Sequence, residues 1–277
     1  MPSRRTATLA LLLAFGAAPG CDFAFTGPHD AESALVRVRV TGGLAAADYT
    51  YQISSEGDVT GVECVSLCDF AAGDTLLHLS RAQREAFLDA VNRSGLPTAG
   101  RPAEYDTDCC DQFTYEVHYT SGREVRSFSG GLPNFPEPLQ ALVTTLQRFY
   151  QGVPPVILRQ SRGLAGFRTD PVDVSGARVD GGYLALDVAY GGGCAVHDLD
   201  AVAWTGWMES HPVQVGVALT HDAHGDACKA LVSRTLRFDL EPLREAYAAA
   251  YGTGPATLVL RVEVAGSPGV IPLTFTF

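Results

Sequence analysis

The stretch Leu184-Ala-Leu-Asp-Val-Ala-Tyr190 places Leu184, Leu186, Val188 and Tyr190 in alternation with Ala185, Asp187 and Ala189. Successive side chains of a strand point to opposite faces, so this is the pattern of a strand with one buried face. The texture recurs downstream in Val213, Val215, Val217 and Leu219, in Leu236, Phe238 and Leu240, and in Leu258, Leu260, Val262 and Val264. Leu273, Phe275 and Phe277 finish the chain, and one short helix, near Pro242 to Tyr251 and stopped by Gly252, interrupts the series. About seven strands at this spacing predict an all-β, immunoglobulin-like sandwich over 170–277.

Upstream, Gly152-Val-Pro-Pro155 opens a linker, taken as 151–169. Before it the texture is mixed. Val36, Val38 and Val40 share one strand face with Arg37 and Arg39 on the other, and Tyr49, Tyr51 and Ile53 alternate likewise. Gly57-Asp58 marks a turn into a partner strand through Val59 and Val62. Ser80 and Gln83 fit a capping box ahead of a helix with Phe87, Leu88 and Val91 on its buried stripe and Gly95 at its end. Phe113, Tyr115, Val117 and Tyr119 share a strand face, Ser121-Gly122 turns the chain, and Val125–Phe128 returns. Pro138 sits near a second helix start, with Leu139, Leu142, Val143, Leu146, Phe149 and Tyr150 at helical spacing. The order ββ(β)–α–ββ–α predicts an α+β domain over 34–150.

The N-terminus sets the compartment. Arg4 and Arg5 precede a short apolar run, Ala7–Ala18, which is too short for a bilayer core of about 30 Å. With small residues after it, this reads as a signal peptide over 1–20. Ala18-Pro-Gly-Cys21 follows and resembles the bacterial lipoprotein box, although the usual leucine three residues before the cysteine is missing. It implies lipidation at Cys21, a tether over 21–33, and a membrane-anchored, extracytoplasmic protein. Setting Cys21 aside leaves six cysteines, an even number suited to disulfides in an oxidising compartment. The chain has a net charge of −11 and no basic run, so nucleic acid is not expected as a partner. The expected partners are the membrane, through lipid, and an envelope protein or a small ligand.

The cysteine pattern carries the chemistry that is legible. Cys194 and Cys228 are expected to form a disulfide stapling two loops, with Gly191–Gly193 allowing a sharp turn beside it. In the first domain Cys64, Cys68, Cys109 and Cys110 allow three pairings, and cross-links between the 64–68 and 109–110 loops would avoid a strained vicinal bridge. The alternative is a metal-dependent hydrolase. Cys194 and His197 form a C-x2-H pair, and with His221 and His224 they could hold Zn²⁺. Asp222 and Asp226 could form a small Ca²⁺ loop, although it lacks the full acidic pattern. No cofactor is expected otherwise. Asp106, Asp108 and Asp111 are read as facing water, and Trp204 and Trp207 as core rather than a stacking platform. No G-x-S-x-G, H-E-x-x-H, P-loop or dinucleotide fingerprint is present.

Tyr49-Thr-Tyr-Gln-Ile53, the Gly57-Asp58 turn, Leu79-Ser80 and Phe113–Tyr119 resemble an uncharacterised domain family of bacterial secreted lipoproteins over 49–150. Tyr190-Gly-Gly-Gly-Cys-Ala-Val-His197, His221-Asp-Ala-His-Gly-Asp-Ala-Cys228 and Phe238-Asp-Leu-Glu-Pro-Leu243 are similar to the β-sandwich halves of NigD-like envelope lipoproteins over 170–277. The resemblance brings no catalytic residue. The expected role is a non-enzymatic binding or interaction module of the cell envelope.

Overall fold

The computed structural model describes residues 34–99, 101–107, 111–265 and 268–277. The proposed signal peptide, tether and lipidated Cys21 lie outside these residues, as do Asp108, Cys109 and Cys110.

The first sheet grows outward from β1 (Ala34–Gly42), whose Val36, Val38 and Val40 are buried. β1 pairs antiparallel with β2 (Ala47–Ser54) on one side and β6 (Phe113–Ser121) on the other. Beyond β2 come β3 (Asp58–Ser66) and β4 (Thr75–His78), and beyond β6 come β7 (Glu124–Gly131) and β5 (Ala103–Glu104). Helices α1 (Arg81–Arg93) and α2 (Glu137–Tyr150) pack Phe87, Val91, Leu142, Leu146 and Phe149 with the valine face in one core. The capping box is present, and Gly95 takes the left-handed conformation (φ 75°) that ends α1. β4 and β5 are additions to the expected order. They have four and two residues, too few for alternation to show.

The second half holds β9 (Asp173–Asp180), β10 (Tyr183–Gly192), β11 (Asp198–Trp204), β12 (Val213–Asp222), β13 (Ala230–Asp239), β14 (Thr257–Val264) and β15 (Val270–Thr276). One helix, α3 (Glu241–Tyr251), falls between β13 and β14. Three strands run in the order β13-β10-β9 and five, with β8 (Ile157–Arg159) at one end, in the order β15-β14-β12-β11-β8. Leu184, Leu186 and Phe238 of the first sheet share a core with Val217, Leu219 and Leu260 of the second. Two expectations need correction. β8 (Ile157–Arg159) lies inside the stretch read as linker and pairs in parallel with β11. β12 and β14 are also parallel, whereas the immunoglobulin pattern is antiparallel.

The two halves meet where α1 starts. Ser80 Oγ donates to Asp200 Oδ1 on β11 at 2.7 Å, and the Arg81 backbone N–H donates to Asp198 Oδ2 at 3.2 Å. On α2, Arg148 forms an ion pair with the buried Asp239 at 3.0 Å and donates to the Tyr183 hydroxyl at 2.6 Å. Among the described residues no helix is long and apolar enough to cross a membrane.

Candidate functional site

Five of the singled-out residues converge where β10 leaves its sheet. Gly192 and Gly193 carry the chain around with φ of 143° and 102°. A Cβ on Gly192 would stand 2.5 Å from the His197 ring and 3.0 Å from Asp226 Oδ2, so only glycine permits this approach. Cys194 is bonded to Cys228, as expected, with Cα atoms 6.0 Å apart. Beneath the bridge, Asp226 Oδ2 accepts the N–H of Cys194 (2.8 Å) and of Ala195 (2.9 Å), while Oδ1 accepts that of Cys228 (2.9 Å). These backbone donors, Cys228 foremost, hold the Asp226 carboxyl well below the usual carboxylate range.

His197 and His221 lie behind this cap, both buried, with Tyr190 against the rings at 4.8 and 4.9 Å between centroids. Their hydrogen bonds run in a row from Pro171 to Asp226. The Pro171 carbonyl can only accept, so His221 Nδ1, 2.9 Å away, carries a hydrogen. Ionised Asp226 can only accept, so His197 Nε2, 3.2 Å from Oδ2, carries another. The contact between His197 Nδ1 and His221 Nε2, 2.8 Å, needs one more. Burial, opposed by the Pro171 hydrogen bond, lowers the His221 pKa.

As arranged, these residues do not form the expected Zn²⁺ site. The Cys194 sulfur is taken up in the disulfide and no longer available as a thiolate ligand. The facing nitrogens of His197 and His221 are spent on each other, at a separation shorter than two nitrogens of a tetrahedral Zn²⁺ site, about 3.3 Å for Zn–N bonds of about 2.0–2.1 Å. His224 is elsewhere: it adopts a left-handed conformation (φ 50°) and points its Nε2 at Asp198 Oδ2, 3.3 Å away. The carboxylates of the expected Ca²⁺ loop are likewise engaged. Both Asp226 oxygens serve backbone N–H groups, and Asp222 Oδ1 accepts the N–H of His224.

The remaining cysteine expectations divide. Cys64 is bonded to Cys68 within its own loop rather than across to the 109–110 loop. Trp204 is buried, and Trp207 packs edge-on against Tyr247 of α3. Asp106 and Asp111 are exposed.

An open cavity of about 800 Å³ borders the stapled loops, lined by Arg168, Asp170, His221, Asp222 and His224 among others. Arg168 and Asp222 also line a cleft of about 500 Å³ that reaches Arg81 of α1 and Asp200 of β11. Sequence reasoning missed Arg168, Asp170, Asp198 and Asp200. Asp170, whose carboxylate accepts the Ala223 N–H at 2.8 Å, fell at the edge of the supposed linker. Asp200 is buried at the junction, and burial raises its pKa to about 7 against the pull of the Ser80 hydroxyl.

No family model and no curated protein matches the chain. Among solved structures it is similar to a NigD-like immunity protein from Bacteroides caccae, 15% identical, covering 87% of this chain and 95% of that one with a TM-score of 0.36. It is also similar to a protein of unknown function, DUF1344, from Bacteroides vulgatus, 9% identical, covering 87% and 90% with a TM-score of 0.34. Likeness at these scores carries no inference about fold or role.

Proposed function

We propose that the protein is a lipid-anchored, extracytoplasmic binding module of the bacterial cell envelope, related to the secreted lipoproteins it resembles in sequence. In this reading the Gly191–His197 and His221–Cys228 loops form its ligand-facing end. One observation carries the proposal. The Cys194–Cys228 bridge, the Asp226 cap and the buried imidazole pair clamp two loops beside an open cavity of about 800 Å³. Such effort spent on holding loops still is what a preformed recognition surface requires, because binding then costs little ordering entropy. The two bridges suit an exported protein.

The test places a photo-crosslinking residue at position 224, on the cavity wall, and a second at position 45, in the turn after β1, which does not line the cavity. The proposal expects a discrete adduct in intact envelopes from 224 and none from 45. Equal labelling from both positions, or none from 224, contradicts it.

A further inference from the structure

We infer that the slot between β4 and β13 is a site of strand addition, which takes an extended acidic segment of a partner protein. This slot shares no lining residue with the cavity of about 800 Å³ beside the stapled loops, although Val196 and His197 of the 191–197 loop also line it.

The slot is a cavity of about 360 Å³ between the two halves. One wall is Thr75, Leu76, Leu77 and His78, all of β4; another is Arg234 through Phe238, five consecutive residues of β13. Neighbouring residues of a strand point to opposite faces, so an unbroken run can line a cavity only along the strand's edge. Both are end strands, β4 of the seven-stranded sheet and β13 of the three-stranded sheet. Each therefore turns toward the slot an edge that has no strand partner among the described residues. Unpaired edges are templates for another strand.

The molecule already uses one of them. At the end of β13 the Asp239 N–H donates to the Pro154 carbonyl at 2.9 Å, and the Val156 N–H donates to the Asp239 carbonyl at 3.0 Å. The 154–156 segment thus pairs with β13 for a single bridge, and the edge from 230 to 237 continues open. At about 3.3 Å per residue the β4 wall is roughly 13 Å long, enough for three or four residues of extended chain.

Charge selects the occupant. In a chain of net charge −11, residues 227–238 contain Lys229, Arg234 and Arg237 and no acid. Neither arginine pairs with a carboxylate among the described residues. Arg234 lies over the Tyr190 ring at 5.6 Å and Arg237 over the Tyr183 ring at 4.7 Å. Leu76 and Leu236 add apolar wall beside them. Arg234 and Arg237, three residues apart, lie on opposite faces of β13, so main-chain bonding along both edges with a guanidinium on each face fits an extended peptide bearing Asp or Glu three residues apart. Arginines on an edge can also serve only to repel a second chain, and the experiment separates these roles.

A random hexapeptide library is panned against the full chain, and a selected peptide is resynthesised with alternate backbone nitrogens methylated. Strand addition expects acid-rich sequences, at least a tenfold loss of affinity on methylation at unchanged charge, and a switch to lysine-rich and arginine-rich sequences in the Arg234→Glu, Arg237→Glu double variant. Failure to enrich any sequence overturns the proposal. So does binding that survives methylation at either set of nitrogens, which would be charge contact alone. Selection unchanged by the charge reversal in a variant that melts like the parent overturns it as well.

Discussion

Asp226 concentrates the site's chemistry in one carboxylate, which caps three backbone N–H groups and receives a proton-bearing nitrogen of His197. Its folded pKa is lowered, so its contribution is present above the unfolded value near 3.9 and is lost as pH falls below it. Asp226→Asn is expected to lower Tm at pH 7, with the gap to the parent closing below about pH 4 in calorimetry. Nitrogen-15 spectra should show Nδ1 of His221 protonated, since it faces the Pro171 carbonyl at 2.9 Å. Asp200 has the opposite sign. Its pKa rises to about 7, so its burial is harmless below the unfolded pKa and stability is lost as pH climbs to about 7. Asp200→Asn should flatten the parent's decline between about pH 4 and 7, a difference on the order of 2–4 kcal/mol by chemical denaturation. The Cys194–Cys228 pairing was legible in the sequence, whereas the roles of Asp226 and Asp200 were not. Two cysteines in an exported chain have few alternatives, but an acid's partners are backbone groups and helix ends that only folding supplies.

Elements with one buried face were the legible ones. β1, β10 and the two long helices announced themselves through spacing, and the structure places Val36, Leu184, Phe87 and Leu142 in the cores. β11 shows why others stayed hidden. Its residues from Leu199 to Trp204 are buried on both faces, one in the sandwich core and the other beneath the first half, so alternation disappears. The α1 N-terminus lies on that second face. Ser80 thus has two duties, accepting the Gln83 N–H at 3.1 Å and donating to Asp200. Ser80→Ala should cost roughly 1–2 kcal/mol in urea unfolding, more than a cap on an exposed helix. Replacing Cys194 and Cys228 together by serine should cost about 3–4 kcal/mol, since the bridge spans 34 residues of chain.

On the scale of the whole molecule, the sequence supplied two apolar textures and a break between them, and the structure shows two hydrophobic clusters on either side of that break. It did not supply the contacts across the break. Those rest on single polar residues such as Arg148, whose ion pair with Asp239 leaves no periodic trace. Arg148→Met should therefore destabilise the protein, because it strands a buried carboxylate. The account's central claim is an exported chain whose ligand-facing loops are locked by a disulfide. Intact mass spectrometry of protein taken from envelopes, denatured in an alkylating reagent without reductant, tests it most directly. The account predicts no label on Cys64, Cys68, Cys194 or Cys228 and added lipid mass on Cys21. Alkylated Cys194 and Cys228 would contradict it, leaving the two loops unstapled and the proposed recognition surface without its clamp.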